Sequence, residues 1–362
     1  MLRRAMDYSK PPRLRSGDSV AVVSTSWGAP HVFPNIFDAG VRALTDRFGL
    51  RVVEFPTARM APDELAADPR ARAADLNAAF ADDAIAAVIC SIGGDDSARI
   101  LRHLDADLIR RNPKVLMGYS DSTTQLVYAH QLGLVTFNGP AVMAGFAQLG
   151  NLAHVGALAE SHIRSMLFEP VDRLVYEPYP HWVNEYAPWN LPENDGWVGE
   201  LHPHDGWHWL NGTGRRSGRL FGGCIEVLEF LKGTRWWPGS GESGKSGERF
   251  WDDRIVFLET SEDKPTVDQV KYWLFNYGVQ GVFERAAGLI IGRARDYTDD
   301  EKRALDEMIV DTVVGQFGAG ELAIVTNMDF GHTDPQWILP LGITAELDCD
   351  RQTFALTEAA VT

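Results

Sequence analysis

Ala86-Ala87-Val88-Ile89-Cys90-Ser91-Ile92-Gly93-Gly94-Asp95-Asp96 is a short apolar run that breaks into a glycine pair and two carboxylates. An unbroken apolar run of this length reads as a strand buried on both faces, and the glycines as a turn at its carboxyl end. Three similar runs surround it: Val20-Ala21-Val22-Val23, Val52-Val53-Glu54-Phe55 and Val115-Leu116-Met117. Helix-compatible stretches separate them, most plainly the alanine-rich residues 63–80. Strands joined by helices make crossover units, so the pattern predicts a mostly parallel sheet. Ligands on such sheets gather beyond the carboxyl ends of the strands. Two loops are singled out in this way, Ser91-Ile92-Gly93-Gly94-Asp95-Asp96 and Gly118-Tyr119-Ser120-Asp121-Ser122.

Further along, residues 169–216 lose periodicity and gather Pro, His, Asn, Gly and Trp. A loop this long inside a compact protein is functional or disordered, and its tryptophans argue against disorder. After Gly218 the strand-and-helix texture returns. Ile225 to Leu231 is helix-like, and residues 239–247 read as a Gly/Ser-rich surface loop. Ile255-Val256-Phe257-Leu258 is a buried strand ending at Glu259, and a helix follows Pro265. Leu289-Ile290-Ile291 is the next strand, followed by a helix over about 299–314. Leu322-Ala323-Ile324-Val325 then leads to Phe330-Gly331-His332. The expected organisation is α/β throughout. An N-terminal domain spans 1–168, a Trp-rich linker and substrate loop 169–217, and a C-terminal domain 218–362.

The 362 residues suffice for two cores. Acidic side chains outnumber basic ones, 50 to 34, for a formal charge of -16, which disfavours nucleic-acid polymers and anionic membranes as partners. Cys90, Cys224 and Cys349 are too widely spaced for a disulfide framework or a metal-ligand pattern, and suit a reducing compartment. The basic start, Met1-Leu2-Arg3-Arg4-Ala5-Met6, is followed by no apolar stretch of signal length, and no run of about 18 apolar residues occurs. These features lead us to expect a cytoplasmic protein.

Ser120 stands where a strand gives way to a helix. Such a turn lifts a hydroxyl above the sheet and sets the free N–H groups of a helix start behind it, which suits a nucleophile and its oxyanion. Serine at a helix start is also an ordinary N-cap, and Gly118-Tyr119-Ser120-Asp121-Ser122 lacks the second glycine of a G-x-S-x-G elbow. Glu259 ends its own strand. Glu262 and Asp263, just beyond, read as solvated boundary residues. His332 again lies just past a strand. The three fall in the order Ser, Glu, His, each at a strand's carboxyl end. Neither G-x-G-x-x-G nor G-x-x-x-x-G-K-[ST] occurs, so a nucleotide cofactor is poorly supported.

These stretches resemble the LD-carboxypeptidase family of serine peptidases, and within it the branch of microcin C self-immunity proteins. The matching segments are Gly17-Asp18-Ser19-Val20-Ala21-Val22-Val23-Ser24, Ser91-Ile92-Gly93-Gly94, Gly118-Tyr119-Ser120-Asp121, residues 218–223, Phe257-Leu258-Glu259 and Phe330-Gly331-His332-Thr333-Asp334-Pro335. The resemblance implies a Rossmann-like first domain, a second domain carrying the acid and the base, and a homodimer. It implies Ser120 as nucleophile, Glu259 as the acid and His332 as the base. The oxyanion is then expected on the backbone N–H of Asp121 and of Gly94, with no metal or organic cofactor. A histidine base leads us to expect a rate that falls as His332 is protonated, near or somewhat below neutral pH.

Five tryptophans, Trp182, Trp189, Trp197, Trp207 and Trp209, lie in the linker. Most are expected to pin the loop, and one or two to stack on a flat ring. The stretch Trp182-Val183-Asn184-Glu185-Tyr186-Ala187-Pro188-Trp189 resembles the self-immunity branch, in which a loop tryptophan stacks on adenine. Gly93, Trp182, Trp189 and Cys224 are therefore expected to bind substrate. Cys224 departs from the asparagine often found there, which puts specificity in question. The favoured substrate is an aminoacyl nucleotide of the microcin C type. A murein tetrapeptide and a non-catalytic role in binding nucleotides or peptides are the alternatives.

Overall fold

The structure is a computed structural model that describes residues 8–238 and 250–362. The basic start and the Gly/Ser-rich 239–247 lie outside the described residues. The first five strands are β1 (Ser19–Val23), β2 (Arg51–Glu54), β3 (Ile85–Cys90), β4 (Val115–Gly118) and β5 (Thr136–Asn138). Then follow β6 (Leu174–Tyr176), β7 (His181–Val183), β8 (Leu201–Pro203), β9 (His208–Asn211), β10 (Arg215–Cys224) and β11 (Arg254–Glu259). The last are β12 (Gly288–Gly292), β13 (Ala323–Met328), β14 (Leu339–Leu341), β15 (Thr344–Asp348) and β16 (Thr353–Leu356).

The first sheet has the order β14-β5-β4-β3-β1-β2 and is parallel apart from β14. Its strand order reverses between β1 and β3, so the loops leaving those strands splay apart and open a crevice there. The second sheet runs β6-β16-β15-β10-β11-β12-β13-β9. Its centre, β10 to β13, is parallel, and both flanks are antiparallel. The α/β fold in two domains is thus present, with every anticipated strand in place.

Local chemistry explains the helix boundaries. The alanine-rich segment forms two helices, Pro62–Ala67 and Pro69–Ala81, because a proline cannot continue a helix. Asp68 caps the second by accepting from the Arg70 and Ala71 amides at 3.0 Å. Capping boxes at Thr266/Gln269 and Thr298/Glu301 start the helices Val267–Val279 and Asp299–Val310. The linker is less irregular than its composition suggests. It gives β6 and β9 to the edges of the second sheet, while β14, from near the C-terminus, returns to close the first. Among the described residues no helix is long and apolar enough to cross a membrane.

Candidate active site

Loops leaving strands of both sheets converge on one cleft. Ser120 opens a single 3-10 turn, Ser120–Ser122, between β4 and the helix Thr123–Gln131. Its φ is 56°, a left-handed backbone that L-residues avoid because Cβ crowds the carbonyl. The surroundings hold it there. The Asp121 carboxylate accepts from Ser26 Oγ at 2.5 Å and from the Ser97 amide at 2.7 Å. One buried side chain thereby ties together the loops after β1, β3 and β4. Strain kept in place by such a network is a feature of functional turns.

Gly93 faces the serine at close range. A Cβ added there would stand 2.8 Å from Ser120 Cβ and 2.9 Å from its Oγ, so only glycine fits. The Gly93 carbonyl accepts from the Trp27 amide at 3.1 Å. In a planar trans peptide the next N–H points the opposite way, so that of Gly94 is directed away from Trp27.

From the second sheet, Glu259 ends β11 in register with Cys224 at the end of β10. His332 lies on the loop after β13. His332 Nδ1 donates to Glu259 Oε2 at 2.6 Å, and both residues are buried. The loop comes this close because residue 331 is glycine, with φ 99° and room for no Cβ: one would stand 2.8 Å from Glu259 Cβ. Asp329, wholly buried, anchors the same loop. It accepts from Arg293 at 2.6 Å and from Trp207 Nε1 at 2.9 Å.

Glu262 is the residue that sequence reasoning passed over. Its Oε2 lies 2.9 Å from His332 Nε2, an ion pair without hydrogen-bond alignment. Burial would lower the His332 pKa, but the two glutamates outweigh it and push it up to about 10. Contact with His332 draws the Glu262 carboxyl down to about 2, and burial pushes Glu259 up. The expectation of titration near or below neutral allowed for one carboxylate; two against the ring favour its charged form and move the prediction to higher pH. Nothing in Thr260-Ser261-Glu262-Asp263 marks Glu262 over Asp263; only the fold turns it inward.

A cavity of about 350 Å³ joins these groups. Ile92, Gly93, Gly94, Tyr119, Ser120, Glu262, Arg295 and His332 line it, with Trp27, Tyr186 and Trp189. The Tyr119 ring meets the His332 ring edge-on, 4.9 Å between centroids. No hydrogen bond joins Ser120 to His332 among the described residues. Tyr186 donates to the buried Asp334 and stacks on Trp189 at 5.9 Å, which sets the tryptophan against the cavity.

Two expected substrate contacts are placed elsewhere. Trp182 lines a separate cavity with His202, Asp205 and Lys302, and its ring is taken up by Arg293 at 4.8 Å. Cys224 is wholly buried, its amide donating to Thr123 Oγ1 at 3.2 Å, and it does not line the Ser120 cavity. Trp207 pins the linker through Asp329, as most of the tryptophans were expected to do. Trp27 was not anticipated; it follows β1 by four residues and carries no distinguishing pattern.

A strained serine, a buried Glu-His pair and a glycine loop thus meet at the ends of parallel strands, an arrangement suited to a serine peptidase. Comparison with known proteins makes the class specific. Models of the LD-carboxypeptidase N-terminal and C-terminal domains match residues 20–139 and 217–347, and the chain belongs to the LD-carboxypeptidase family. It is 27% identical to the Microcin C7 self-immunity protein MccF of Escherichia coli, over 95% of this chain and 94% of that one. It is also 27% identical to the Bacillus subtilis protein named "Probable murein peptide carboxypeptidase", covering 97% and 95%. The crystal structure of an MccF-like protein from Streptococcus pneumoniae in complex with AMP superposes with a TM-score of 0.81 at 27% identity, covering 94% and 98%. The chain is thus an MccF-like serine carboxypeptidase.

Proposed function

We propose that Ser120, Glu259 and His332 form the catalytic triad, and that the substrate is an aminoacyl nucleotide whose amide-type bond is cleaved. The observation that carries the triad is the 2.6 Å bond from His332 Nδ1 to Glu259, with Ser120 on the same cavity. Glu259 fixes the tautomer and stabilises the imidazolium that forms. His332 takes the Ser120 proton as the hydroxyl attacks the carbonyl, then protonates the leaving nitrogen; water releases the acyl group. For this step Nε2 must be free of Glu262 and unprotonated. The amides of Asp121 and Gly94 receive the oxyanion, each such donor being worth about 3 kcal/mol of barrier. Gly94 lines the same cavity as Ser120, which supports the second donor.

The aromatic walls support the substrate class. Trp27 and Trp189 both border the cavity, and Phe33 lies edge-on to each, at 6.0 and 5.7 Å between centroids. Indole faces at a cavity wall suit stacking on a purine, and the similar Streptococcus protein is in complex with AMP. The similarity to a murein peptide carboxypeptidase favours a tetrapeptide as the second reading. Three free cysteines accord with a cytoplasmic site of action. The test is incubation of the purified protein with aspartyl-sulfamoyl-adenosine and, separately, with murein tetrapeptide. Release of aspartate from the first is expected; hydrolysis of the tetrapeptide alone would replace the first reading by the second.

A further inference from the structure

We propose that Glu262 determines specificity by receiving the free ammonium group of the residue whose carbonyl is attacked; this rests on Ser120 being the nucleophile. Three charged side chains line the cavity: Glu262, Arg295 and His332. Glu262 differs from Glu259 in freedom. Its side chain is 56% exposed, whereas that of Glu259 is wholly buried. The loop beneath it is fixed, because the Ser261 amide and hydroxyl both donate to Glu226 at 2.9 Å. Glu262 can therefore rotate about an anchored backbone.

The chemistry requires that it does. Nε2 cannot accept the Ser120 proton while it stays protonated against a carboxylate. Once Glu262 leaves the ring, its charge faces a cavity walled by Ile92, Tyr119, Tyr186 and two tryptophans. In the free protein water reaches that half-exposed carboxylate; substrate filling the cavity displaces the water, and a carboxylate left unpaired there is costly. Arg295 lines the same cavity and its charge favours the Glu262 carboxylate, but no ion pair joins the two among the described residues; its Nε lies 3.4 Å from Asp296 and its guanidinium 5.7 Å from the Tyr186 ring. A direct ion-pair partner for Glu262 is then supplied by the substrate. An α-ammonium is one carbon from the attacked carbonyl, so a carboxylate released from Nε2 is close enough to meet it. Substrate binding thereby frees the base and neutralises the group that blocked it. The cleft then selects aminoacyl groups with a free amine and rejects N-acylated ones.

Binding is measured by calorimetry in the Ser120→Ala background, with aspartyl-sulfamoyl-adenosine and its N-acetyl derivative as probes. The free amine is expected to bind at least about tenfold more tightly, the scale of one charge-assisted hydrogen bond. Adding Glu262→Gln should bring the two affinities to within about twofold, chiefly by weakening the free amine. A preference that survives Glu262→Gln, or none in its presence, overturns the proposal. Turnover by Ser120→Ala alone would instead refute the nucleophile, a separate readout.

Discussion

Glu262 and His332 form an ion pair at the ring nitrogen opposite the one that Glu259 holds, so the imidazole is bracketed by two carboxylates. Both carboxylates favour the protonated ring. A base must be deprotonated to act, so kcat/KM should rise with pH through the His332 pKa, pushed up to about 10. Glu262→Gln removes part of what raises that pKa, and the rising limb should move to lower pH. Kinetics across the neutral and alkaline range check this; an unmoved limb would mean that Glu262 does not face the base in solution.

Replacing Ser120 tests chemistry and strain together. Ser120→Ala should lose at least about 10⁴-fold in kcat, as removal of a triad nucleophile does. Ser120→Gly should be equally inactive but more stable than Ser120→Ala by about 1 kcal/mol, because glycine accepts the left-handed backbone at φ 56°. Denaturant titration of the two variants measures the difference.

Gly93→Ala should lower kcat by about 10²-fold or more, since the new methyl would press on the Ser120 hydroxyl and the oxyanion position. Gly331→Ala should reduce both stability and activity, its Cβ meeting the Glu259 side chain at a positive φ. Thermal unfolding with steady-state rates separates the two effects.

Trp189→Ala and Trp27→Ala should each raise KM for a purine nucleotide substrate about tenfold, by loss of stacking worth about 1–3 kcal/mol. Trp182→Leu should leave KM within about twofold, because Trp182 belongs to the neighbouring cavity. An equal effect of all three replacements would count against the aromatic walls as the base-binding surface.

Asp329→Ala should cost about 3–5 kcal/mol, the penalty of leaving the buried Arg293 guanidinium unpaired. It should also lower kcat, because Asp329 anchors the loop that carries His332. Chemical denaturation and the rate of the folded fraction test the two claims.

The fold could be read from the sequence because its central strands are unbroken apolar runs with glycine or polar residues at their ends. Residues 86–94 and 255–259 are examples. The short edge strands β6, β9 and β14 carry no such signal, since three or four residues completed by pairing with distant partners have no pattern of their own. Ser120, Glu259 and His332 stood out because each closes a strand-end motif. Trp182 and Trp189 were indistinguishable along the chain, and only the folded chain puts Trp189 on the Ser120 cavity and Trp182 on its neighbour.

From its sequence alone this protein has its parallel sheets, its strand-end loops and the Ser, Glu and His residues they carry. Those depend on hydrophobic runs and turn residues that act over a few positions. What surrounds His332 was settled in three dimensions. Glu262 is an ordinary boundary carboxylate until β11 and β13 bring their loops together, and the charge state of a buried ring depends on every anion within reach, however distant along the chain.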